Sequence, residues 1–202
     1  MVGAVRRVLE FEGQGLAAIG MWLLRRKHGV PPGSTVATYS KEQTFTLTLF
    51  AFAFAVETVV ADLLLVSFGV TGWVRYAVLV ADLYGLLFVA TMAAGSVTRP
   101  HVVTADELRI RYGHYFDLRV PRELITSVRT SRNYNETSMV SVKGERLALA
   151  VSSQTNVTVE LSEPITAVRP LGQRVEITSI RFFADRPETL LAALRDERTA
   201  SP

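Results

Sequence analysis

Four side chains stand where hydrocarbon would make them costly. Glu57, Asp62, Asp82 and Tyr84 lie inside two apolar segments, Thr44 to Phe68 and Val74 to Gly95, each long enough to cross a bilayer. Two carboxylates facing each other in low dielectric cannot both stay ionised, so such a pair holds a proton near neutral pH and has the makings of a proton or cation site. Glu57 and Asp62 point about 140° apart on a helix and cannot grip one ion together. An antiparallel hairpin turning near Thr71 and Gly72 predicts Asp62 at nearly the depth of Asp82, and Glu57 within one turn of Tyr84. The plainer reading, and the favoured one, is that protonated acids hydrogen-bond across the hairpin or between subunits and hold helices together.

The elements that must position these groups follow from the surrounding pattern. The two segments predict a transmembrane hairpin over 44–98, with spans 44–68 and 74–95 and a very short turn at Gly69 to Gly72. Arg25, Arg26, Lys27 and Lys41 precede the first span and Arg99 follows the second, whereas the turn is followed only by Arg75, so both termini are expected on the cytoplasmic side. Trp73 and Tyr76 suit the outer interface. Gly85, Ala90, Ala93, Ala94 and Gly95 permit close backbone approach on the second span, which makes a homo-oligomer plausible.

Before the hairpin, residues 1–43 read as an amphipathic helix and a linker. Val5, Val8, Leu9, Leu16, Ile19, Trp22 and Leu23 suit a lipid-facing side, with Arg25, Arg26 and Lys27 at anionic headgroups. The other reading has this helix packed on the water-soluble part. GVPPGST, from Gly29 to Thr35, ends the helix.

Composition excludes several functions. The net charge is +3, and the basic excess lies in Met1 to Glu42, where Arg6, Arg7, Arg25, Arg26, Lys27 and Lys41 face Glu10, Glu12 and Glu42. From Pro100 onward 14 basic residues nearly cancel 13 acidic ones, which argues against nucleic-acid binding. With no cysteine and only His28, His101 and His114, thiolate chemistry is absent and no metal-ligand spacing appears. Ser152 and Ser153 lack a nearby histidine, there is no phosphate loop, and no cofactor or enzymatic activity is expected.

After Pro100 the pattern changes to two-residue alternation. Leu108, Ile110 and Tyr112 alternate with Arg109 and Arg111; Leu118 and Val120 flank Arg119; Val157, Val159 and Leu161 alternate with Thr158 and Glu160. Further strands are predicted at Ile125 to Thr130, Met139 to Val142, Leu147 to Val151 and Val175 to Phe183. Asp185, as cap, and Pro187 then open a helix with Leu190, Leu191 and Leu194 on one face. The segment HVVTADELRIRYGHYFDLRVPRELITSVR, with Pro121, Ile125 and Val128, resembles the opening of bacterial pleckstrin-homology-like (PH-like) domains, and IRFFADRPETLLAALR resembles their last strand and helix. The whole arrangement resembles two-span membrane proteins of actinobacteria and related bacteria, a group with no established activity, so no catalytic residue carries over.

The resemblance implies an α+β membrane protein with a cytoplasmic PH-like antiparallel β-barrel over 99–197, closed by one helix, and a tail at 198–202. Arg109, Arg111, His114, Arg119 and Arg122 cluster around its first hairpin, where eukaryotic PH domains hold phosphoinositides, and are candidates for anionic-lipid contact together with Arg25, Arg26 and Lys27. The expected function is a non-catalytic interaction or scaffolding module at the inner (plasma) membrane, multi-pass, binding an unidentified protein or anionic lipid. The alternative is an oligomeric proton- or cation-handling protein using Glu57, Asp62 and Asp82.

Overall fold

The computed structural model describes the backbone of residues 2–170 and 172–196 and the side chains of 12–170 and 172–195. The expected roles of Val5, Arg6, Arg7, Val8 and Leu9 lie outside the described side chains. Two long helices dominate, α2 (Ser40–Ser67) and α3 (Gly72–Thr98), of 28 and 27 residues. At about 1.5 Å per residue each is roughly 40 Å long, more than the ~30 Å of a bilayer's hydrocarbon. Their apolar side chains stay outside: Phe45, Phe52, Leu63, Phe68, Trp73 and Val80 are all exposed. Water gives no reason for such a surface, and a bilayer does.

The turn between them is tight because Gly69 takes φ +64°. Its N–H bonds to Val66 O at 3.0 Å and Val70 N–H reaches back to Leu65 O at 3.0 Å, the paired bonds that close a helix through a left-handed residue. That closure puts the bend at 68–71, slightly earlier than the expected pivot, and shifts the facing register of the whole hairpin.

Helix α1 (Val2–Leu23) runs alongside α3 in the same direction. Glu12 meets Tyr84, Gly15 lies against Thr91, and Leu23 sits beside Val97 and Thr98. Neither sequence-based placement of this helix anticipated that partner. Its N-terminal end therefore points away from the β-domain.

The segment taken as a linker is part of a sheet. Strand β1 (Thr35–Ala37) pairs with β2 (His101–Val103), which is followed by β3 (Glu107–Tyr112) and β4 (Phe116–Pro121), in antiparallel order β1-β2-β3-β4. A 3-10 turn at Arg122–Leu124 leads to the second sheet: β5 (Ile125–Asn133), β6 (Val140–Lys143), β7 (Arg146–Leu149), β8 (Thr155–Val168) and β9 (Arg174–Phe182). Its order is β5-β8-β9-β7-β6. Contrary to the all-antiparallel expectation, β7 and β9 are parallel, Leu147 opposite Ile180 and Leu149 opposite Phe182.

Alternation does build the core. Leu108, Ile110 and Val120 of the first sheet meet Leu147, Val157, Val159, Ile177, Ile180 and Phe182 of the second in one buried cluster. Each such side chain contributes about 1.5–3 kcal/mol on burial. Helix α4 (Pro187–Asp196) adds Leu190 and Leu194 to that cluster. Asp185 serves the linker segment, accepting from Thr38 Oγ1 at 2.6 Å and Lys41 N at 3.4 Å.

The long helices continue into this domain without a break. Gln43 and Leu47 at the start of α2, and Val89, Thr91, Ala94, Gly95, Ser96 and Thr98 at the end of α3, are buried. Gln43 Nε2 donates to Tyr112 Oη at 2.8 Å. Tyr39, fully buried, accepts from Gly113 N–H at 2.6 Å and donates to Arg99 O at 3.3 Å.

Candidate functional site

The early bend decides which polar groups meet inside the hairpin. Phe54 packs on Gly85, so closely that a Cβ there would lie 2.9 Å from Phe54 Cε1. In that register Asp62 faces Arg75, a residue read from sequence only as a marker of orientation. Arg75 Nε and Nη2 both donate to Asp62 Oδ1, at 3.0 and 2.8 Å, and Nη2 also reaches Oδ2 at 3.1 Å. This fork-like geometry suits a guanidinium and a carboxylate, and it keeps both charged groups near the turn end of the hairpin. The pair borders an open groove of about 430 Å³ lined also by Thr58, Val59 and Tyr76.

Asp82 lies deeper. It shares a void of about 10 Å³ with Thr58, Asp62, Arg75 and Leu79, and its Oδ2 is buried with no hydrogen-bond partner among the described residues. Asp62 and Asp82 therefore do border one space, but with a guanidinium among them. Tyr84 bonds to Glu12 instead of Glu57, its hydroxyl donating to Glu12 Oε1 at 2.6 Å and tying α1 to α3. Glu57 faces outward from α2. The four polar residues of the two apolar helices thus divide into an ion pair with a neighbouring acid, a seam between helices, and one outward carboxyl.

The arginines of the first β-hairpin serve the fold. Arg109 forks onto Asp117, Nε to Oδ1 at 2.7 Å. Arg111, only 1% exposed, donates from Nη1 to His28 O and from Nη2 to Gly29 O, both at 2.7 Å. The outward face of β3 is thereby covered by the loop that follows α1. Arg122 donates to Thr104 O at 3.0 Å and Leu194 O at 2.8 Å, compensating the carbonyl end of α4. Arg119 is exposed and 4.0 Å from Glu107.

His114 is turned toward α3, its ring 4.3 Å from that of Tyr115 and against Gly95. Burial, aided by Arg99, pushes it down to about 4, so it is neutral at pH 7. His101 is 1% exposed; its Nδ1 accepts from Arg111 N–H at 3.0 Å and its Nε2 lies 2.9 Å from Phe183 O. Only a neutral imidazole protonated on Nε2 satisfies both contacts, and burial holds His101 down at about 4. The expected lipid-binding cluster at Arg109, Arg111, His114 and Arg122 is therefore not an open basic surface.

Gly95 and Gly113 show why α3 can dock so closely. A Cβ on Gly95 would come within 3.2 Å of Gly113 Cα, so Gly95, like Gly85 against Phe54, serves a close approach within the chain, whereas Ala90 stays exposed.

The remaining basic residues form a different arrangement. Helix α1 ends with Arg25 N–H bonded to Trp22 O at 3.0 Å and Arg26 N–H to Met21 O at 2.8 Å, and Arg25 takes φ +53°. His28 N–H then bonds to Thr98 O at 2.8 Å, fastening the loop to the end of α3. Between these two helix ends lies a groove of about 400 Å³, lined by Trp22, Leu23, Arg25, Arg26, Lys27, Val97 and Thr98. The amphipathic pattern of α1 already placed Trp22 and Leu23 beside these cations, but the second wall, Val97 and Thr98, depends on the pairing of α1 with α3. No protein-family profile, curated protein or solved structure matches this chain.

Proposed function

We propose that this protein is a non-catalytic, membrane-anchored module that holds a β-domain against the cytoplasmic face of a bacterial inner membrane for interaction with a protein or anionic lipid. The observation that carries this reading is the continuity of α2 and α3 from an exposed apolar hairpin into the buried core of the β-domain. A tethered domain needs only a flexible linker, whereas this one is fastened by Gln43, Tyr39 and the Gly95–Gly113 approach. We assign the domain to a PH-like barrel: two sheets share one core and α4 packs against it, with the parallel β7–β9 pair as a departure from that plan.

The cytoplasmic side is assigned from Arg25, Arg26, Lys27 and Arg99 at the domain end of the helices. The natural absence of cysteine makes the test direct. In intact cells a cysteine placed at Lys143, the exposed last residue of β6, is expected to resist a membrane-impermeant thiol reagent, while one at Phe68 reacts. The opposite labelling overturns the orientation. Release of the protein from membranes by alkaline carbonate overturns the anchor.

The proton- or cation-handling alternative is less well supported. Asp62 is neutralised by Arg75, and Glu57 faces away from the space bordered by Asp82. Liposome flux that disappears in Asp82→Asn would restore it.

A further inference from the structure

We propose that the groove between the ends of α1 and α3 binds one anionic phospholipid from the bilayer leaflet nearest the β-domain, its phosphate on Arg25, Arg26 and Lys27 and its upper acyl chain against Trp22, Leu23 and Val97. This rests on the membrane-anchored reading above and names the lipid partner of that module.

The groove is divided by chemistry as an amphipathic ligand requires. Three cations form one end, and Trp22, Leu23 and Val97, which are 49%, 72% and 41% exposed, form an apolar wall at the other. Its volume of about 400 Å³ lies within the range usual for small-ligand sites. Its depth also fits. Trp22 sits level with the end of α3, at the opposite end of that helix from Trp73, so the two tryptophans mark the two interfaces where such side chains gather.

The charges are available for an external anion. Arg75, Arg109, Arg111, Arg119 and Arg129 each have an acidic neighbour within 4.0 Å. Among the described residues no such neighbour is recorded for Arg25, Arg26 or Lys27. A phosphate between them satisfies what the chain leaves open, and the anionic surface of the leaflet adds attraction.

The loop is also held in advance of binding. At the position that closes α1 in a left-handed conformation glycine is the usual residue, yet Arg25 occupies it at φ +53°. A side chain kept in spite of that strain points to a use for the side chain. The two carbonyls gripped by Arg111, with the His28 to Thr98 bond, fix the other end of the same loop. Little ordering is left for the ligand to impose.

The test uses the full chain in lipid nanodiscs and its two tryptophans as reporters. In Trp73→Phe, leaving Trp22, brominated phosphatidylglycerol is expected to quench fluorescence about fivefold more effectively than brominated phosphatidylcholine at equal mole fraction. Arg25→Gly, which relieves the backbone strain and removes the charge, should reduce that preference, and adding Arg26→Gln and Lys27→Gln should abolish it. Soluble glycerol phosphate should not displace the lipid. Equal quenching by both lipids, a preference that survives the triple variant, or displacement by glycerol phosphate overturns the site. In Trp22→Phe, quenching of Trp73 by either lipid reports the anchor separately. If Trp73 is quenched and Trp22 shows no preference, the groove proposal alone fails; if neither is quenched, the membrane reading fails with it.

Discussion

Arg111 and Arg26 carry the same guanidinium and lie on neighbouring pieces of the molecule, since Arg111 grips the carbonyl of His28. One is buried and bonded to backbone, with Asp117 at 3.9 Å; the other is exposed. The difference is one of reach. Strand β3 is covered by a loop that brings two carbonyls to Arg111, while the same loop carries Arg26 outward, beyond reach of the acids among the described residues. Basic residues of equal charge therefore divide into those that close the fold and those left exposed, and the division is made by tertiary pairing.

That contrast can be broken most severely at Arg111. Arg111→Met should destabilise the folded protein by about 3 kcal/mol, because the His28 and Gly29 carbonyls lose their donor and Asp117 loses a charge 3.9 Å away, whereas Arg26→Ala should change stability by less than about 0.5 kcal/mol. Denaturant midpoints in detergent would measure both, and equal losses would erase the distinction.

Acid should act on the closed side in the same way. His101 accepts from the Arg111 N–H, and protonation turns that acceptor into a donor. Its value is near 4 when folded against 6.5 when free, so the unfolded chain binds the proton more readily. The contribution is complete above pH 6.5 and is lost as pH falls toward 4, on the order of 3 kcal/mol in total. His114 adds to the same slope. His101→Gln should flatten the loss measured between neutral pH and the lower end of this window; an unchanged slope would remove His101 from the account.

Two smaller perturbations test the frame that holds the exposed cations in place. Gly95→Val presses a branched side chain against the backbone of Gly113 and should cost about 1–3 kcal/mol, read as earlier proteolytic release of the β-domain. Tyr84→Phe removes the bond to Glu12 and should have the smallest effect of the set, read as faster amide exchange near Glu12 without loss of the core. A loss of core protection in Tyr84→Phe would mean that the seam supports far more than α1.

Much of this architecture was readable from local pattern. The two long apolar helices, the alternation over 108–112 and 157–161, and the final helix each arise from short-range pattern, and each appears in the structure. The site was less legible because its decisive contacts join distant residues. Arg111 meets carbonyls 82 and 83 positions away, and Glu12 meets Tyr84 across 72. The carboxylate pairing went astray through a small offset: a bend closed by Gly69 gives Asp62 to Arg75. The Arg-x-Arg on β3 looked open because nothing in Gly29 to Glu42 announced that β1 would pair with β2 and bring the loop over it.

Tyr39 has a mechanical consequence. Its hydroxyl joins the β3–β4 turn to the carbonyl of Arg99 at the end of α3, while its backbone directly precedes α2. One side chain thus ties three parts of the molecule at a single point, reinforcing the Gln43–Tyr112 bond and the Gly95–Gly113 approach. A load applied to the β-domain should therefore pass into both long helices together, with the turn at Gly69 as the far end of the same lever.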